Sequence, residues 1–555
     1  MKQRAFSLCV FGCLFLATFI AAQRSESHEK SRKSFLRQRL VAQAKAAALA
    51  EDPADAAKEK GWCELTIDLV DAKSETSLAG IVRITNRETG KALQLSGEIH
   101  RALNWFTLAK QATVKVPQTK VTIEALQGLE TELASREVDL TGLGKAAVKL
   151  TLKRFFDASA DGLQSGNTHL HLMKLTHAEA IRYLQLVPKS DGLDLVFLSH
   201  LRRIPDERNY ISNEIVENSF TGGSLQRLSQ GGVLFSNGEE HRHNFGRGGE
   251  GWGHVMLLDI LKLIQPVSIG PGIMREGTDR IPLQHGIKQA RADGGTVIWC
   301  HNTFGFEDIP NWVKGLVHAQ NIYDGSPTGD YDGAYYRYLN LGLKVPFSTG
   351  TDWFIYDFAR VYVPVEGELT SKKWLGSLRA GRSFITNGPL LELTADDAKV
   401  GDTIALSGPK LIEVEARGVG RQDFHGLELI YNGEVVHHEH TDQEGGHYEC
   451  DTSFRLKVDE PGWIALRIPL DAGKSGLDRP LYAHTSPIYV EIAGKRVFRG
   501  DVAEELLQEI MAGVEVIKEK ADFADDKERN AVLDVHREGI DILQSWIDRG
   551  ASSIE

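Results

Sequence analysis

His169 and His171 stand one residue apart in Gly166-Asn167-Thr168-His169-Leu170-His171, and they open a trail of histidines and acids through the middle of the chain. Residues i and i+2 of a strand face the same side, so both imidazoles could reach one ion while Leu170 packs behind them. A sequence with 19 histidines produces such a pair by chance, and a polar strand face would look the same. Further along come His177, His200, Glu239 and Glu240 after Gly238, His254 between Gly253 and Val255, His301 before Asn302, and Asp352 after Gly350-Thr351. Each alone could be an ordinary turn or strand-end residue. Together they are the donor types of a site for two divalent cations, where imidazole suits zinc, iron or manganese and the mixed set does not choose among them. Two such ions about 4 Å apart make hydroxide available near neutral pH and stabilise an oxyanion, so the expected chemistry is metal-dependent hydrolysis. Asp352 could orient the nucleophile or take its proton, and His177, His200 and Tyr210 are each candidates for the leaving-group acid.

Something must bring these residues together across nearly two hundred positions. Between 155 and 395, short apolar runs at 193–198, 296–299 and 345–348 read as buried strands, and 280–293 and 371–381 read as helices. That alternation predicts an α/β unit with a largely parallel sheet or barrel. Sites in such folds gather at the carboxyl ends of strands, where His200, His301 and Asp352 fall. On either side the texture is all-β. Cys63, Leu65, Ile67 and Leu69 alternate with polar residues, as do Val148, Leu150 and Leu152, which predicts a small β-sandwich over 61–154. Strand-like runs at 411–416, 427–431, 463–468 and 488–492, with an Asn432-Gly433 turn, predict a second sandwich over 396–495. The expected role of both sandwiches is structural or docking. In the tail, 496–555, Val502, Leu506, Ile510, Val514 and Ile517, then Val532, Val535, Ile540, Leu543 and Trp546, recur at helical spacing and predict an antiparallel helix pair for packing or oligomer contact.

Composition narrows the setting. Residues 1–22 carry Lys2 and Arg4, then an apolar run, then Ala21-Ala22, the layout of a cleaved export signal, which predicts a periplasmic or extracellular protein. Residues 23–60, rich in Ala, Lys, Glu and Arg, read as a helical or flexible lead-in without chemistry. The net charge of −12 becomes −14 without the two basic residues of the leader, which argues against a nucleic-acid surface. Cys63, Cys300 and Cys450 remain, too few and too scattered for a disulfide framework.

The order of the motifs is more specific than any one of them. H-x-H, His177 six residues on, a strand-end His200, Gly238-x-Glu240, His254, His301 and a final Asp352 resemble the polymerase and histidinol phosphatase (PHP) superfamily. Gly253-His254-Val255, Trp299-Cys300-His301 and the run from Gly381 through Arg382 and Asn387 to Pro389 resemble its CehA/McbA branch, named for carbaryl-cleaving esterases. The resemblance covers about 160–395. It implies a distorted seven-stranded β/α barrel in which His169, His171, Glu240 and Asp352 hold one metal. Glu240 would bridge to a second, completed by His254 and His301, and His177 and His200 match positions for a third. Here the chain departs from the pattern: Ser199 stands where the family often has Asp, and Phe354, which cannot ligate, where it often has His. Two ions are therefore expected rather than three.

Other residues compete for attention. His241 and His243 form another H-x-H near Arg242 and Arg247, read as a mobile loop near the site mouth with a metal or substrate role as the alternative. His437, His438 and His440 around Glu439 read as a solvated edge strand, and Arg382 with Asn387 as structural closure of the barrel. The expected substrate is a small molecule with an ester, amide or carbamate bond. A phosphoester is the alternative, slightly disfavoured because the basic residues of the region, such as Arg202, Arg203 and Arg247, are scattered. A different class of reading is a metal-retaining envelope protein without catalysis, whose sandwiches contact partners or polysaccharide.

Overall fold

The computed structural model describes residues 50–203, 210–245, 251–302, 305–326 and 328–550. The leader, most of the lead-in and Arg247 lie outside the described residues.

The period-two alternation near Cys63 produces two facing sheets. Trp62–Asp71 pairs antiparallel with Gln111–Pro117 and parallel with Lys145–Leu152. A second sheet is built around Gly80–Asn86, which pairs with Lys120–Leu126. Cys63, Leu65, Ile67 and Leu69 pack with Val82, Ile84, Val121 and Ile123 in one core. The end of the lead-in is ordered: Ala50–Glu51 adds to this unit beside Ala92–Leu93, and Asp52 caps helix Pro53–Lys60 through the Ala54 N–H.

The central region is mixed α/β with many strands and few helices. Leu163–His171 pairs in parallel with Leu195–His200, which pairs in parallel with Leu234–His243. Gly253–Leu258 then runs antiparallel to both of its neighbours, Leu234–His243 and Thr296–Trp299. The sheet continues in parallel through Ala319–Asn321 to Phe347–Ser348. It curls as it goes, so that Asp352–Trp353 pairs with the end of the first strand. The Thr351 N–H donates to the His169 carbonyl at 3.0 Å and the Phe354 N–H to the His171 carbonyl at 3.0 Å, which closes the turn over the two histidines. The largely parallel sheet expected from the apolar runs is thus interrupted by the antiparallel Gly253–Leu258, and Arg360–Pro364 also runs antiparallel to the first strand. Its carboxyl ends nevertheless gather at one mouth. Helices Leu283–Ala292 and Ser371–Arg379 cover its outer face, where Trp374 packs on Phe197.

No break separates this sheet from the C-terminal strands. Arg360–Pro364 pairs with Phe384–Thr386, which pairs with Ala483–Thr485 and carries the sheet onward to Gly462–Arg467 and Ile488–Ile492. A five-stranded sheet with Leu390–Ala395, Lys410–Gly420 and His447–Val458 at its centre packs across it. The tail forms helices Gly500–Lys520 and Asp526–Arg549, with Asp525 capping the second. Their apolar stripe is spent within the chain. Leu506, Ile510, Ile517, Val532 and Leu543 join the core that holds Trp252, Trp299 and Trp312. Among the described residues no helix is long and apolar enough to cross a membrane.

Candidate metal centre

His169 and His171 end the Leu163–His171 strand and are fully buried. Glu240 lies in mid-strand with 1 % exposure, and His254 is on the antiparallel neighbour. His301 and Asn302, just past Thr296–Trp299, and Asp352, which opens Asp352–Trp353, hold φ near +58°, +58° and +57°. That left-handed backbone costs on the order of 1–3 kcal/mol per residue and persists where the surroundings dictate it. Close approach also dictates Gly350, where a Cβ would lie 2.7 Å from the His169 nitrogen.

Each of the four central histidines is fixed through one ring nitrogen. His171 Nδ1 lies 2.9 Å from the Ser199 carbonyl oxygen, which only accepts, so Nδ1 carries the proton and Nε2 offers a lone pair. His301 Nδ1 stands in the same relation to the Asp324 carbonyl at 3.2 Å. His254 Nε2 donates to the Asn244 side-chain oxygen at 2.9 Å, which also accepts from Arg242. His169 Nδ1 donates to the Asp324 carboxylate at 2.9 Å. The opposite nitrogens then converge. His169 Nε2 and His171 Nε2 are 3.1 Å apart, and the latter is 3.1 Å from Glu240 Oε2. Asp352 Oδ1, buried without a hydrogen-bond partner, is 3.4 Å from His169 Nε2. On the other carboxylate oxygen, Glu240 Oε1, His254 Nδ1 approaches to 3.4 Å and His301 Nε2 to 3.7 Å. Lone pairs that face one another at these distances repel unless a cation lies between them. A tetrahedral ion with 2.0–2.1 Å bonds would space its donors about 3.3 Å apart. These residues could therefore hold metal in two groups that share Glu240: His169, His171, Glu240 and Asp352, and Glu240, His254 and His301. Outward hydrogen bonds that set the tautomer are the usual support of metal-binding imidazoles.

The electrostatics agree. Burial disfavours charge on His169, but Asp352, Asp324 and Glu240 outweigh it and push its pKa up to about 9. Burial also opposes charge on His301, and Asp324 more than offsets it. Burial pushes the Glu240 carboxyl up, but Arg242 and the His169, His171 and His301 rings that face it hold it well below the usual range. A field of this sign attracts protons or metal cations alike.

Asp324, which the motif reading did not include, supports the centre from behind. Besides His169 it accepts from the His301 backbone N–H at 3.2 Å and from Asn321 Nδ2 at 3.1 Å. It could itself group with His169, Cys300 and His301 around an ion. Burial and then Asp324, Glu240 and Asp352 raise the Cys300 thiol well above its ordinary value, however, so it stays protonated and donates poorly. The closure of the sheet, not local spacing, places Asp324 here.

Other candidates lie apart. His177 begins helix His177–Ser190, whose Thr176–Glu179 capping box fixes its first turn; the half-exposed His177 pairs with Glu214 at 3.1 Å on the surface. His200 is buried but turns to Glu217 at 2.9 Å, and burial lowers its pKa. Neither joins the converging set, so the structure offers no third site through them. Tyr210 packs near Trp353, whose ring lies 5.3 Å from that of His171, and so stands one ring removed from the centre. His241 and His243 are buried in the strand rather than in a mobile loop: they face Glu239 at 3.0 Å and Asp279 at 2.8 Å. His437, His438 and His440 lie on strand Glu434–His440, with His438 and His440 the nearest rings to each other. Asn387 is buried and donates to Asp357, while Arg382 is exposed beside Asp402.

No protein-family model matches the chain, and no curated protein matches it. Among solved structures, the Bacillus anthracis TIE protein aligns with 77% of this chain at 9% identity and a TM-score of 0.11. This chain spans about half the length of that structure, 49%. A likeness of that size carries no argument about fold or function.

Proposed function

We propose that this protein is a metal-dependent hydrolase of an ester, amide or carbamate bond. One observation carries the reading: four imidazoles, each with its proton turned outward, aim their remaining nitrogens at Glu240 and Asp352 in a buried, inward-facing cluster. Zinc, manganese or iron held there would lower the pKa of bound water and polarise a carbonyl. The chain's own residues would do the rest. Ser199, Asn244 and Asp324 hold the imidazoles in register, and Asp352 offers an unengaged buried oxygen to orient the nucleophile or receive its proton. Tyr210 and Trp353 would wall the substrate entry. The motif order shared with the CehA/McbA branch supports this reading, and with it a PHP-type distorted barrel as the sense of the curled sheet. The leader-like first 22 residues support export.

A phosphoesterase is the second reading, and Arg242 favours it. This buried guanidinium reaches Glu240 Oε1 at 3.1 Å, so a basic group does stand at the centre. Metal analysis of protein purified without chelator, followed by panels of aryl esters, amides, carbamates and phosphomonoesters, tests both. Bound divalent metal with chelator-sensitive turnover of carboxyl esters or carbamates is expected. Turnover of phosphoesters alone would move the assignment to the second reading. Metal without any turnover would favour an envelope binding or scaffold role, and protein that takes up no metal would overturn the proposal.

A further inference from the structure

The two groups that share Glu240 differ in charge. Around Oε2 stand the imidazoles of His171 at 3.1 Å and His169 at 3.8 Å, with Asp352 completing the group. Two neutral imidazoles and two carboxylates balance one divalent cation. Around Oε1 the nearest atom is Arg242 Nη1 at 3.1 Å, ahead of His254 Nδ1 at 3.4 Å and His301 Nε2 at 3.7 Å. Arg242 lies two residues beyond Glu240 on the same strand face and directly opposite His254 in the antiparallel register. It is 8% exposed, and Nη2 is tied to Asn244 Oδ1 at 3.3 Å, so it is held in place. A guanidinium does not deprotonate in a protein. An ion on this side would have no carboxylate of its own and would sit beside a permanent positive charge.

Building on the metal reading, we infer that the two cation positions are unequal. His169, His171, Glu240 and Asp352 hold one divalent ion tightly, Glu240, His254 and His301 hold a second weakly and exchangeably, and Arg242 is the positioning residue that sets the difference. Like charges at this separation inside a protein weaken binding by about tenfold or more.

Chelator-treated full-length protein titrated with Mn2+ and followed by electron paramagnetic resonance tests this, with equilibrium dialysis giving both dissociation constants. At one equivalent the wild type should show the six-line spectrum of isolated ions, with spin-coupled pairs arising only as the second equivalent is added. Arg242→Gln should tighten the second step about tenfold or more and leave the first nearly unchanged, and Arg242→Lys, which keeps the charge, should leave the gap open. Spin-coupled pairs at substoichiometric Mn2+ in the wild type would overturn the inference even if Arg242→Gln does not fold. So would an Arg242→Gln titration that superimposes on the wild type. Failure to bind either Mn2+ or Zn2+ is a different result, because it removes the metal reading itself.

Discussion

Asp324→Asn is nearly isosteric and leaves the converging donors in place, so it isolates the support of the centre from the centre itself. Asp324 Oδ2 accepts from His169 Nδ1 at 2.9 Å, and its Oδ1 accepts from the His301 backbone N–H at 3.2 Å. The amide removes the negative charge and weakens the hold on the His169 tautomer and on the His301 backbone, one residue in each metal-binding group. Loss of such a supporting carboxylate typically costs 10–100-fold in metal affinity. That corresponds to about 1.4–2.7 kcal/mol. Competition for Zn2+ against a chromophoric chelator gives the affinity, and circular dichroism shows whether the fold is kept. A folded variant whose affinity stays within about twofold of the wild type would show that Asp324 does not orient the ligands. If the residue were instead a ligand in its own group with Cys300, one equivalent of metal would be lost outright.

Three further outcomes follow from the same geometry. The His169 pKa is about 9 in the folded protein against 6.5 ordinarily, so in chelator-treated protein its contribution is full below pH 6.5 and fades as pH rises through 9. Thermal unfolding should show the metal-free protein losing up to about 3 kcal/mol across that window, while Zn2+ affinity rises over the same range; metal-free stability that is flat or rising there would contradict the assignment. Gly350→Ala forces a Cβ to within 2.7 Å of backbone at His169 and should cost about 1–3 kcal/mol in denaturant unfolding and deplete bound metal. His177→Ala and Glu439→Ala, both exposed and remote from the converging donors, should leave metal content and metal affinity at wild-type values by elemental analysis and dialysis.

Residues whose placement depends on local spacing were readable in the sequence. The i, i+2 rule alone puts the His169 and His171 rings on one face, and period-two burial at Cys63, Leu65, Ile67 and Leu69 follows from the same arithmetic. What spacing could not convey is the consequence of long-range closure. Asp324 lies beyond a three-residue strand, with no repeat or motif around it, and reaches His169 only because the curled sheet brings 319–324 against 167–169. The antiparallel strand Gly253–Leu258 is buried on both faces, so its direction has no signature in the pattern. His177 was attractive by order in the chain, yet the capping box at Thr176 and Glu179 decides where it points. The continuous sheet across residue 395 was likewise invisible, since turn residues mark where strands end, not which sheet they rejoin.

The burial of the tail helices in the same core as Trp252 and Trp299 has a consequence for how the molecule is made. Leu506, Ile510, Val532 and Leu543 emerge from a ribosome well after the central strands, and until they arrive the apolar ground beneath them faces solvent. Synthesis proceeds from the N-terminus at about 5–20 residues per second, so the central unit must wait roughly 10–40 s between the appearance of Asp352 and that of Leu543. Such an interval calls for protection from aggregation during synthesis, and a chain stopped short of the hairpin would be its most exposed form.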